Sequence, residues 1–111
     1  MTGSRAERIG MNEAVFREVN ERIEELADTF DLRDEALDLI CECGEADCVQ
    51  PIRMTRDEYE HVRSDPHHFA VHPGHEISSV ETVVEKQKSY DIVSKDSGVP
   101  EQIAEQTDPR S

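Results

Sequence analysis

The sequence predicts an α+β fold, with a long N-terminal helix packed on a small antiparallel sheet and one short helix between strands. Three observations carry this. Ile9, Phe16, Val19, Ile23, Leu26 and Phe30 are spaced 7, 3, 4, 3 and 4 apart, an a/d seam on a helix. The chain after them is cut into short alternating or apolar segments bounded by Gly, Pro, Asp and Ser, as short strands are. All three cysteines fall in one stretch, CECGEADC, from Cys41 to Cys48, where a chain with a small core gains a staple.

The elements follow in order. Residues 1–8 are polar and are expected to be a flexible N-terminus. The helix is expected from about Asn12, which can cap it, to Ala27. Its seam either covers the chain's own sheet or forms a coiled-coil interface, in which Asn12 would set the register. Phe30 to Asp38 is charged and aperiodic, a connection. Leu37 to Gly44 alternates like a strand and ends in a glycine turn. Val49 to Met54 reads as a second strand, which Pro51 confines to an edge. Thr55 and Glu58 form a capping box, so a short helix follows to about Ser64, with Tyr59 and Val62 inward. Asp65-Pro66 stops it. Phe69 to Val71 is the core of a strand, and Pro73-Gly74 turns the chain after it. Ser79–Val84 and Ser89–Ser94 flank a polar turn, a hairpin. The end is expected to be one helical turn with Pro100 near its start, or a flexible tail over 97–111. Residues 9–96 then make one domain, as a length of 111 residues suggests.

The chain is lean in apolar residues, 35% with 5% aromatic, so its core is small. A net charge of −14, from 26 acidic and 12 basic residues, repels phosphate backbones and anionic membranes and favours cationic partners. No apolar run approaches the roughly 20 residues that span a bilayer. MTGSRAERIG has no apolar signal region, so the expected setting is a cytoplasm, with reduced thiols. Clustered cysteines there read as metal ligands before disulfides.

Cys41 and Cys43 are two apart on a strand and point to one face. Gly44 permits a tight reversal that brings Cys48 back toward them. Zinc takes four tetrahedral sulfur or nitrogen ligands, and three cysteines with one histidine are a standard structural set. Five histidines could complete it: His61, His67, His68, His72 and His75. His61 lies on the short helix and one of His67 and His68 faces solvent. His72 and His75 bracket the Pro-Gly turn, where a chain can present a side chain to a site built elsewhere. The expected ligands are Cys41, Cys43, Cys48 and His75, with His72 as second choice, around one structural zinc. Two other readings stay open: unliganded, partly buried thiols, or a cysteine pair that oxidises with one thiol over. HPGHE is no metalloprotease helix, since its histidines are three apart and Pro73-Gly74 would break it. No phosphate-binding glycine loop or nucleophile elbow is present, and no catalytic residue stands out.

NEAVFREVNERIEELA, CECGEADC, TRDEYEHVRSDP, FAVHPGHE and EQIAEQTDPR together resemble a group of small uncharacterised actinobacterial proteins. The resemblance covers most of the chain. It implies a bacterial cytoplasmic protein with a C-x-C-x₄-C cluster and a later PGHE, and supplies no activity and no partner. In that group the histidine of PGHE is the more regular one, which implies His75 over His72.

The expected function is a non-enzymatic zinc-binding domain that interacts with a protein partner through its first helix, as monomer or homodimer, with no nucleic acid and no membrane. The alternative is a thiol redox switch that releases zinc when two ligands join as a disulfide. A metal-dependent enzyme stands third, since four protein ligands leave no open position for substrate or water.

Overall fold

The computed structural model describes residues 4–30, 35–45, 47–48 and 50–110. Part of the expected N-terminal segment (1–3), of the connection (31–34), the first residue of the expected second strand (Val49), Ala46 in the cysteine stretch and Ser111 lie outside the described residues.

The order is α1 Arg5–Thr29, β1 Ala36–Ile40, β2 Pro51–Thr55, α2 Arg56–Arg63, β3 His68–Val71, β4 Glu81–Lys86, β5 Asp91–Lys95 and α3 Val99–Gln106. The fold is α+β, as expected, with every strand pairing antiparallel. The strands divide into two sheets, β1-β2 and β3-β5-β4, where one was expected. The division falls at Pro51, which pairs with Ile40 and brings no N–H to the ladder. Beyond it, the Cys41 N–H still reaches Gln50 O, but the Glu42 N–H turns to Ala70 O of β3 at 2.8 Å. The cysteine segment is thereby the bridge between the sheets. One contiguous core runs through both and takes in Cys41, Cys43, Tyr59, Phe69 and Ile92.

The expected capping box is present: Glu58 N–H donates to Thr55 Oγ1 and Thr55 N–H to Glu58, and Tyr59 and Val62 are fully buried behind it. A second capping box corrects the start of α1. Ser4 and Glu7, not Asn12, cap this helix, at 3.2 and 2.9 Å. The segment expected to be flexible therefore carries the first helical turn.

The seam of α1 is also corrected. Its inward face is Ile9, Glu13, Ala14, Arg17, Asn20, Glu21, Glu24 and Ala27, while Val15, Val19, Leu26 and Phe30 stand outward, Phe30 at 70% exposure. Of the expected seam only Ile9 is buried, with Phe16 and Ile23 half-buried. The polar face goes inward because its side chains find partners there, although Glu13 Oε2, Arg17 Nε and Glu24 Oε2 are left without a hydrogen bond. Arg17 donates to Pro66 O and Ala104 O, both at 2.9 Å, and lies 4.4 Å from the Phe69 ring centre. Asn20 donates to Ile40 O at 2.8 Å and accepts from the Ile40 N–H at 2.9 Å. Lys95 from β5 pairs with Glu13 and with Glu81. Asn12 points inward too, to Gly44 O, so it sets no coiled-coil register.

The C-terminal end is no free tail over its described residues. α3 runs for two turns, and Arg110 beyond it donates to Glu21, Glu24 and Glu60. Arg63, buried beneath, pairs with Glu21 at 2.9 Å and with Asp108. Arg110→Ala is expected to lower stability by about 1–3 kcal/mol, since Glu21 and Glu24 lose a charged donor at a half-covered site. Limited proteolysis should then cut after α3 before any other segment. An undiminished melting temperature with unchanged cleavage would show that the guanidinium holds nothing. No helix among the described residues is long and apolar enough to cross a membrane.

Candidate metal centre

Cys41, Cys43, Cys48 and His75 converge: one ligand atom from each lies within 4.8 Å of the others. The His75 Nδ1 stands 3.6 Å from both Cys41 Sγ and Cys48 Sγ. Zinc bonds of about 2.3 Å to sulfur and 2.1 Å to nitrogen, at the tetrahedral angle, put sulfur and nitrogen about 3.6 Å apart. The four side chains are close enough to hold one metal ion.

Each ligand is positioned by a different part of the fold. Cys41 continues the β1-β2 hairpin through its N–H to Gln50 O. Cys43 follows the bridge to β3. Gly44 then reverses the chain, but its role is close approach rather than a special backbone angle. A Cβ there would sit 2.4 Å from Ile9 Cγ2 and 2.8 Å from Ile77 Cδ1. Cys48 N–H bonds Glu45 O, which closes the turn. His75 arrives from the far side of β3. Its own N–H bonds His72 O at 2.9 Å across Pro73-Gly74, with Gly74 at φ +87, where a side chain would strain. The strand Phe69–Val71 does run beside the cysteine segment, as a shared site requires.

The Cys41 sulfur also accepts a backbone N–H, from His72 at 3.1 Å. Such a donor favours the thiolate over the thiol. Cys43 is the readiest to ionise. A hydrogen bond from Cys41 brings its pKa down to about 5, against the effect of burial. The same bond, with burial, pushes Cys41 up, and burial pushes Cys48 up.

Behind the cluster lies Glu42, a fully buried carboxylate between two of the cysteines. Burial pushes its pKa up, and hydrogen bonds from the Ala70 N–H, Asn20 and Tyr59 oppose that shift. Glu42 thus ties the cysteine segment to α1, α2 and β3 at once. Sequence reasoning passed over it as one acid among many. The signal was its place inside C-E-C, where a residue flanked by two ligands is fixed by them.

The other histidines do not join. His61 is exposed and pairs with Glu85 at 2.7 Å. His67 and His68 are both half-buried, so neither is the solvent-facing residue expected there. The His72 ring lies 4.8 Å from that of His75 by centroids, with its Nδ1 near Pro73 O.

No protein-family model, no curated protein and no solved structure matches the chain.

Proposed function

We propose that the chain is a non-enzymatic zinc-binding domain of a bacterial cytoplasm, in which Cys41, Cys43, Cys48 and His75 hold one structural zinc ion. The convergence of three thiols and an imidazole at tetrahedral spacing carries this reading. Three sulfurs select a soft or borderline ion, and three cysteines with one histidine close the shell, so the ion serves folding rather than turnover. The interaction role rests on the outward face of α1, whose Met11, Val15, Val19, Leu26 and Phe30 stand exposed. A partner helix with apolar and cationic residues suits it, because the chain carries −14; a second copy, with the same charge, is disfavoured.

The test is elemental analysis with X-ray absorption on freshly purified, reduced protein. One zinc per chain is expected, with three sulfur neighbours and one nitrogen. Intact reduced thiols without stoichiometric metal would end the proposal. His75→Ala is expected to lose most of the metal affinity. His72→Ala should keep it, because His72 meets the cluster through its backbone N–H, which alanine retains. The reverse pattern would put the fourth ligand on the other side of the turn.

A second reading has one observation in its favour. Cys48 is the least covered of the three sulfurs. A peroxide could oxidise two of the thiolates to a disulfide, taking two electrons and two protons to become water. The zinc, left with two ligands, would depart. Zinc release on mild peroxide, reversed by a reductant, separates this switch from a purely structural site.

A further inference from the structure

A second group of ligand atoms lies outside the cysteine cluster. A ring nitrogen of His67 and one oxygen each of Glu101 and Glu105 come within 4.8 Å of one another. The two glutamates are four apart on α3 and so share a face. α3 is held to the body by Arg17, which donates to Ala104 O in its last turn. His67 is fixed by its backbone: its N–H bonds Asp65 Oδ1 at 2.9 Å and its carbonyl accepts from the Lys95 N–H at 2.9 Å.

The geometry at Nε2 is what points to a ligand. Glu105 Oε2 lies 3.2 Å away, yet Nε2, itself out of contact with solvent, makes no hydrogen bond. The oxygen is close but off the line of the ring N–H. Two donors to one cation stand this way, because the ion occupies the axis of the ring nitrogen and the second donor sits to its side. Bonds of about 2.1 Å place such donors about 3.0–3.4 Å apart. At the other ring nitrogen, Asp65 Oδ1 stands 3.5 Å and Glu101 Oε2 3.8 Å from Nδ1, where a carboxylate orients a metal-bound imidazole.

We propose that His67 Nε2 and Glu105 bind a divalent first-row transition cation, with Glu101, one turn back on α3, and water completing its shell. The donor set decides the class. An imidazole disfavours magnesium and calcium, and two carboxylates without sulfur suit manganese or zinc over the softer ions. The glutamates are half-exposed, so the ion exchanges with solvent, unlike one sealed among the cysteines. The acidic surface raises the local concentration of any cation.

Manganese(II) is the probe, because a thiolate-rich site discriminates against it. The full chain would be titrated with Mn²⁺ while electron paramagnetic resonance counts the free ion and NMR follows the histidine ring protons. One saturable Mn²⁺ per chain is expected. His67 signals should broaden at substoichiometric metal, ahead of those of His61, whose Glu85 partner makes it an internal control for an ordinary surface ion pair. Glu101→Gln with Glu105→Gln should weaken binding at least about tenfold, with zinc content unchanged. Should that double variant not fold, Glu105→Gln alone decides on the same readouts. Non-saturable binding, equal broadening at His61 and His67, or wild-type affinity in the glutamine variant would each overturn the site and leave His67 as an ion-paired histidine only.

Discussion

Cys43→Ser is expected to unfold the domain, not to loosen one loop. Cys43 is fully buried and belongs to the contiguous core. It sits beside Glu42, which fastens the segment to α1, α2 and β3. Metal-binding energy is folding energy in such a site, of order 10 kcal/mol apparent, against a net stability of about 5–15 kcal/mol for a whole domain. Only 5% of the residues are aromatic, so little else is in reserve. The expected result is loss of the cooperative thermal transition, or a fall of tens of degrees at about 4 °C per kcal/mol. Wild-type protein treated with a chelator should move the same way. An unchanged melting temperature in both would mean that the cluster decorates a fold that stands without it.

Lys95→Met is the second large effect. The Lys95 ammonium is buried between Glu13 and Glu81, both buried themselves. Removing it leaves two carboxylates facing each other without a cation, and breaking a buried pair in this way costs about 3–5 kcal/mol. Protonation gives the sign with pH. Burial, and then Glu81, raise Glu13 well above its ordinary 4.5. A raised carboxyl contributes stability that is present below its unfolded pKa and lost as pH rises through its folded one. Without Lys95, which lowers that pKa, the pair holds its proton more tightly still. The gap between variant and wild type should therefore be small near about pH 5 and widen toward about pH 8. Glu81→Gln in the same background should recover part of the loss, because the remaining acid then has a neutral partner. Thermal melts of the three proteins across this range decide it. A gap that narrows with rising pH would refute the account.

The parts of the fold legible in the sequence were those set by neighbours in the chain. Thr55 and Glu58 announced α2 because a capping box is a local bargain between residues three apart. The hairpin β4-β5 was visible from alternation, although Val83 and Glu85 shift its register, which no alternation shows. The cluster of Cys41, Cys43, Cys48 and His75 was legible because cysteines are few and their spacing limits their geometry. Ser4 and Glu7 offered the same signal as Thr55 and Glu58, but the apolar periodicity that starts later drew the boundary of α1 away from it. The orientation of α1 was not legible. Its inward groups are satisfied by Pro66, Ala104, Ile40 and Lys95, all distant in sequence, and only the folded chain brings them together. The docking of Arg110 on Glu21 hid in the same way, behind a separation of 89 residues.

The inward polar face of α1 changes what substitution means along that helix. An oily inner face lets a helix rotate or slide a little, since one methyl group replaces another at small cost. Glu13, Arg17 and Asn20 are each addressed to a different element, so no neighbouring residue can deliver their bonds from a shifted position. The usual map of tolerance is inverted as a result. Val15, Leu26 and Phe30 are free to become polar without loss to the fold, while the charged positions read most easily as solvent-facing are the ones an engineer should leave alone.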